Sequence, residues 1–336
     1  MDQFSAHLDR GWDLINRGDL AGAQRSAEKS VELDAESPEA HNLLGYVYAA
    51  QGDPDAALEH YRQAIALDDS FVEAMLNAAE VLIHPVHDFE SAIDLVDEAL
   101  EWAEGDDEIT DALLIKFDAH MHRGDADAAR KVLATVPEGP FESPRLDFLI
   151  GRANFELGVL PNAKVQLERS IEREPGSAEA HYYLGLVLDA EGDHTPATVA
   201  FLRCRELDAG MPKPSWSLTA TQFERHVRRA IEQLQDPLRD MLDGALVVVS
   251  DQPGAEVVAD GVDPRAGVML DAIGERDGKP VAGRAFIYQR NVERMCSGPG
   301  KLDEELLRCL QSEIEATNSG PGNASSAPPS AGPDPE

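Results

Sequence analysis

Apolar positions follow the helical period from residue 4 to about residue 211 and then stop following it. In one well-ordered stretch Leu43, Leu44, Val47 and Tyr48 form one stripe, and Ala57, Leu58, Tyr61, Ala64 and Ile65 form the next. Between the stripes, Gly52-Asp53-Pro54 suits the end of one helix and the start of another. Glycine tolerates left-handed backbone, aspartate accepts from free amides, and proline fits the first helical position. Equivalent punctuation stands at Gly18-Asp19, His87-Asp88, Gly124-Asp125, Gly158-Val159 and Gly192-Asp193. The second members of these pairs are 34, 35, 37, 34 and 34 residues apart. The pattern predicts six pairs of antiparallel helices, units that bury their apolar faces only by stacking on neighbours.

Beyond Gly210-Met211-Pro212-Lys213-Pro214 the pattern predicts a helix over 223–234, a strand over 245–250, a second strand over 284–292 and a closing helix over 302–317. Residues 267–283 read as a long loop or irregular hairpin. The predicted fold is mostly α: a solenoid of repeats over 1–211, a linker at 212–219, a small α+β domain over 220–317, and a tail over 318–336. The tail is mainly Gly, Pro, Ser, Ala and Asn, a composition that predicts disorder.

Residues at fixed offsets carry a resemblance to the tetratricopeptide repeat family. Small residues recur in the first helix of each pair at Gly11, Gly45, Ala79, Gly151 and Gly185, with Phe117 departing. The second helices carry Ala23, Ala57, Ala92, Ala129, Ala163 and Ala197, and four positions on from these come Tyr61, Val96, Leu133, Leu167 and Phe201. Insertions fall around 84–87 and 137–144. The resemblance implies a right-handed superhelix whose first helices line a concave groove that binds a protein or peptide segment. Its groove offsets fall on Trp12, Asn42 and Tyr46 in the first two repeats and on Glu73, Leu76 and Glu80 in the third. They continue as Asp111, Leu114 and Asp118, then Arg145, Phe148 and Arg152, and finally Tyr182. Members that grip a carboxylate terminus do so with Lys and Arg on these helices. Here the first helices of the second, third and sixth repeats carry neither, so a carboxylate clamp is not expected.

The order of elements after residue 220 resembles minimal zincin-type metallopeptidases. The residues that carry it are Phe223-Glu224, the run Leu246 to Pro253, and Phe286 to Val292. That family closes on a helix bearing His-Glu-x-x-His, whose two histidines share a face and hold zinc beside a glutamate base. Here the aligned segment is Ser312-Glu313-Ile314-Glu315-Ala316. The base position remains as Glu313, while Ser312 and Ala316 replace both ligands, and no histidine follows His226. The expectation is a domain without metal or cofactor that serves as a second interaction surface; the competing reading is a hydrolase with a rearranged metal site.

Charge narrows the partner. With 29 basic and 63 acidic residues the net charge is −34, which repels phosphate backbones and anionic lipid and favours a basic protein or peptide. No apolar run approaches the roughly 20 residues of a membrane span, and no leader precedes the repeats, so a cytoplasmic location is expected. Cys204, Cys296 and Cys309 show no Cys-x-x-Cys spacing and read as reduced thiols. His84 and His122 occupy equivalent offsets with Glu80 and Asp118 one turn earlier, a set that could approach a metal but is explained as polar helix ends. Phosphate-loop and nucleophile-elbow motifs do not occur.

Overall fold

The computed structural model describes residues 2–276 and 278–319. Contacts divide the chain into two compact units, one ending at Pro175 and one beginning at Gly176.

The first unit is five helix pairs: α1 (Gln3–Ile15) with α2 (Leu20–Leu33), α3 (Pro38–Ala50) with α4 (Pro54–Leu67), α5 (Val72–Val81) with α6 (Phe89–Trp102), α7 (Gly105–His122) with α8 (Ala126–Leu133), and α9 (Pro144–Glu156) with α10 (Leu160–Arg173). Each first helix also touches the next, α1 on α3, α3 on α5, α5 on α7 and α7 on α9, so the first helices form a row.

The punctuation acts as the sequence predicts. Gly18, Gly52, Gly124 and Gly158 have φ between +72° and +82°, and the next residue donates its amide back to the preceding helix, as Asp53 N does to Tyr48 O at 2.9 Å. The aspartates then cap the second helices: Asp19 accepts from Gly22 N at 2.8 Å and Asp125 from Ala128 N at 3.0 Å. His87 takes the left-handed position in the third pair at φ 62°. The small first-helix residues answer the large second-helix ones. A Cβ on Gly45 would lie 2.7 Å from the Tyr61 ring, and one on Gly151 would lie 2.8 Å from Leu167.

Both insertions are accommodated locally. The third pair adds a wide helical turn, Leu82–Val86, with His84 non-helical. After α8, the segment 135–143 is pinned from two sides. Asp107 accepts from Glu142 N and Ser143 N, both at 2.9 Å, and Arg173 donates to Glu142 O at 2.8 Å. Arg169 and Arg173 also ion-pair with Asp147 at 3.1 and 2.7 Å, a carboxylate with no exposure.

The second unit contains α11 (Ala178–Ala190) and α12 (His194–Gly210), the sixth helix pair, followed by α13 (Ala220–Gln233), α14 (Leu238–Met241), β1 (Leu246–Ser250), α15 (Ala255–Ala259), β2 (Val268–Asp271), β3 (Gly274–Arg276), β4 (Lys279–Val281), β5 (Arg284–Tyr288), α16 (Gln289–Arg294) and α17 (Leu302–Ser319). The sheet order is β1-β5-β2, with β1 parallel and β2 antiparallel to β5; β3 and β4 form a hairpin. Phe223, Val227 and Ala230 of α13 pack with Leu306, Leu310 and Ile314 of α17 beneath Ala285 and Ile287 of β5.

Two expected element bounds change here. The strand expected to run to residue 292 stops at Tyr288, and Gln289–Arg294 is helical. Helical spacing lets Gln289 donate to the fully buried Glu293 at 2.7 Å, whereas an extended chain would hold the two residues about 13 Å apart. Glu293 also accepts from Ser217 Oγ at 2.6 Å and Leu218 N at 3.0 Å, so the segment expected to be a linker is held. The closing helix runs on through residues 318 and 319, expected to be tail; residues 320–336 lie outside the described ones. By contacts the sixth helix pair groups with the strands rather than with the other five.

Candidate functional site

In the first unit the row of first helices divides into an open end and an internally paired end. At the open end Trp12 and Tyr46 meet edge to face, centroids 5.2 Å apart. Asn42 is buried; its Nδ2 donates to Glu73 Oε1 at 3.0 Å and its Oδ1 accepts from Asn77 Nδ2 at 3.1 Å. Glu73 and Glu80 are exposed and Leu76 is half-buried between them. Toward α9 the acids meet arginines of the same unit. Arg152, itself only 14% exposed, lies 3.4 Å from Asp118 and 3.5 Å from Glu156. Burial raises the Asp111 pKa, and the charge of the exposed Arg145 opposes that rise. Leu114 and Phe148, expected as groove contacts, are buried packing residues.

Within the second unit, Tyr182 is not an open groove position. It is 4% exposed because the chain itself covers it. Its hydroxyl donates to Asp263 at 2.9 Å, and the Arg265 guanidinium lies over its ring, 4.6 Å from the centroid. Arg265 further donates to Glu179 at 2.8 Å and Asp208 at 3.0 Å, and Arg294 pairs with Asp208 at 2.7 Å. Burial alone would raise the Asp208 pKa; Arg265 and Arg294 hold it below the usual carboxylate range. Glu179, outside the expected groove set, continues the offset of Glu73, Asp111 and Arg145. Arg265 carried no local signal.

Glu313 is half-buried on α17, where it accepts from Leu270 N of β2 at 3.0 Å. Burial raises its pKa against that hydrogen bond. Ser312 and Ala316 are exposed. Among the described residues no three His, Cys, Asp or Glu side chains gather as a metal requires. His84 and His122 do meet, edge to face at 4.4 Å, but His122 Nδ1 donates to the Asp118 carbonyl at 2.8 Å and the Asp118 carboxylate faces Arg152. Burial pushes the thiols of Cys204, Cys296 and Cys309 up to about 12, which leaves them protonated at neutral pH. Among the described residues no helix is long and apolar enough to cross a membrane.

Known proteins share this architecture. The type IV pilus assembly protein PilF of Pseudomonas aeruginosa is 31% identical over 72 residues, which is 21% of this chain and only 29% of that protein. The solved structure of Pseudomonas aeruginosa PilF superposes with a TM-score of 0.51 at 18% identity, covering 62% of this chain and 93% of that one. PilW, a type IV pilus biogenesis factor, gives 0.51 at 17% identity over 60% and 92%. The APC/C hetero-tetramer Cut9–Hcn1 gives 0.50 at 14% identity over 62% and 41%. At such identities these likenesses speak for the fold alone. Residues 8–84 and 148–211 match the tetratricopeptide repeat family, and the helix pairs within those two stretches are tetratricopeptide repeats.

Proposed function

We infer that this protein is an interaction scaffold whose first helices bind a segment of a partner protein. The observation that carries this reading is the Trp12–Tyr46 pair on α1 and α3, followed on α5 by the exposed Glu73, along a row of contiguous first helices. An aromatic pair supplies apolar contact area at low entropic cost, and the flanking carboxylates select against anionic partners. A basic partner, no nucleic acid and no membrane surface fit the net charge of −34. A reducing, cytoplasmic location suits the three free thiols.

The region from α13 onward is read as a metallopeptidase-like domain that has lost its chemistry and offers a second surface. What supports this is the local use of Glu313, whose carboxylate is engaged with the β2 backbone rather than beside a ligand pair. On this reading purified protein carries far less than one zinc per chain; stoichiometric, tightly held zinc would revive a hydrolase. For the groove, affinity capture followed by mass spectrometry identifies a partner, and Tyr46→Ala should then lower its recovery with helical content unchanged. Undiminished recovery would place the binding surface elsewhere.

A further inference from the structure

Resting on the reading of the first helices as a binding face, we propose that this face reads arginine side chains and that its partner is an extended, arginine-bearing segment. The chain contains an occupied example of such a seat. In the sixth repeat, Arg265 lies over the Tyr182 ring at 4.6 Å while donating to Glu179 at 2.8 Å. This arginine comes from a non-helical stretch 86 residues further along, so it approaches the first helix as a partner segment would. A guanidinium is suited to both contacts at once, since its plane stacks on a ring and its edge pairs with a carboxylate.

The first unit repeats the acid-and-arginine pairing at its later helices, where Asp118 is met by Arg152 at 3.4 Å. At α3 and α5 the pattern changes. Glu73, at the offset of Glu179, is exposed and accepts from Asn42, and the Trp12–Tyr46 pair supplies the aromatic faces. These two helices contain no Lys or Arg. The acid and the rings are thus contributed by the repeats and the arginine by the partner. The overall charge of −34 favours a cationic segment as the partner.

The test is fluorescence anisotropy of a labelled alternating Ala-Arg peptide with the full chain, beside an equally charged Ala-Lys peptide. The Ala-Arg peptide should bind, and more tightly than Ala-Lys. Glu73→Gln should weaken its binding roughly fivefold, while Glu59→Gln, which removes the same charge from an exposed site on α4, should leave it nearly unchanged. Equal affinities for the two peptides, equal effects of the two substitutions, or no binding of the Ala-Arg peptide would each overturn the arginine assignment. The underlying groove reading falls by a different result, the undiminished recovery of a captured protein by Tyr46→Ala.

Discussion

The pairing of Gly45 with Tyr61 gives the repeat offsets a physical meaning. A side chain at 45 would start 2.7 Å from the ring, so Gly45→Val should cost about 1–3 kcal/mol through overpacking, read from urea unfolding. Gly18 meets no such neighbour but sits at φ +73°, so Gly18→Ala should cost roughly 1 kcal/mol by strain alone. A second residue-level effect concerns acid. Burial lowers the His84 pKa below the 6.5 of a free histidine, and His122, His87 and Arg152 push the same way. The unfolded chain then binds more protons, so stability falls as pH drops through this window. Glu156 acts oppositely, because burial raises its pKa and its penalty relaxes in acid. His84→Gln isolates the histidine. Its unfolding free energy should decline less between about pH 7.5 and about pH 5.5 than that of the native chain, and parallel slopes would remove His84 as a contributor.

Helices and their turns were legible because their causes are local. A left-handed glycine followed by a capping aspartate needs only neighbours in sequence, and it recurs at Gly18-Asp19, Gly52-Asp53 and Gly124-Asp125, with His87 in the glycine's place before the capping Asp88; Val159 has no capping oxygen. Segments whose fate depends on distant partners were not legible. The run from Phe286 to Val292 alternates like a strand, yet Asn291 turns helical with its amide donating to Pro264 O at 2.9 Å and Ala266 O at 2.7 Å. The insertion before α9 offers no period at all, and Asp147, Arg169 and Arg173 hold it through contacts that spacing does not announce. Asp147→Ala should therefore destabilise by about 2 kcal/mol, discounted because the arginines remain partly exposed, and should speed amide exchange at 142–143. On α17, Glu313→Gln keeps an acceptor for Leu270 N while removing a charge that burial disfavours. The variant should match or exceed the native thermal midpoint at pH 7. Its advantage should vanish as pH falls toward 4.5, where the native carboxyl is protonated; a lower midpoint at pH 7 would mean that the ionised form matters.

At the scale of the whole chain, the repeats supply the proposed binding face, and fewer of the expected positions are open to a partner. Tyr182 is covered by Arg265 within its own unit, a contact that no period in the sequence could reveal, while Arg152 is committed to Asp118 and Glu156. On the proposed reading, the surface left for a partner is the end bearing Trp12, Tyr46 and Glu73, three positions that the fixed offsets also name. The most direct test is hydrogen exchange of the full chain with and without its captured partner. Protection is expected in the α1, α3 and α5 peptides that contain Trp12, Tyr46 and Glu73, with α2 and α4 little changed. Protection confined to the second helices, or to residues 220–319, would contradict binding on the first-helix face.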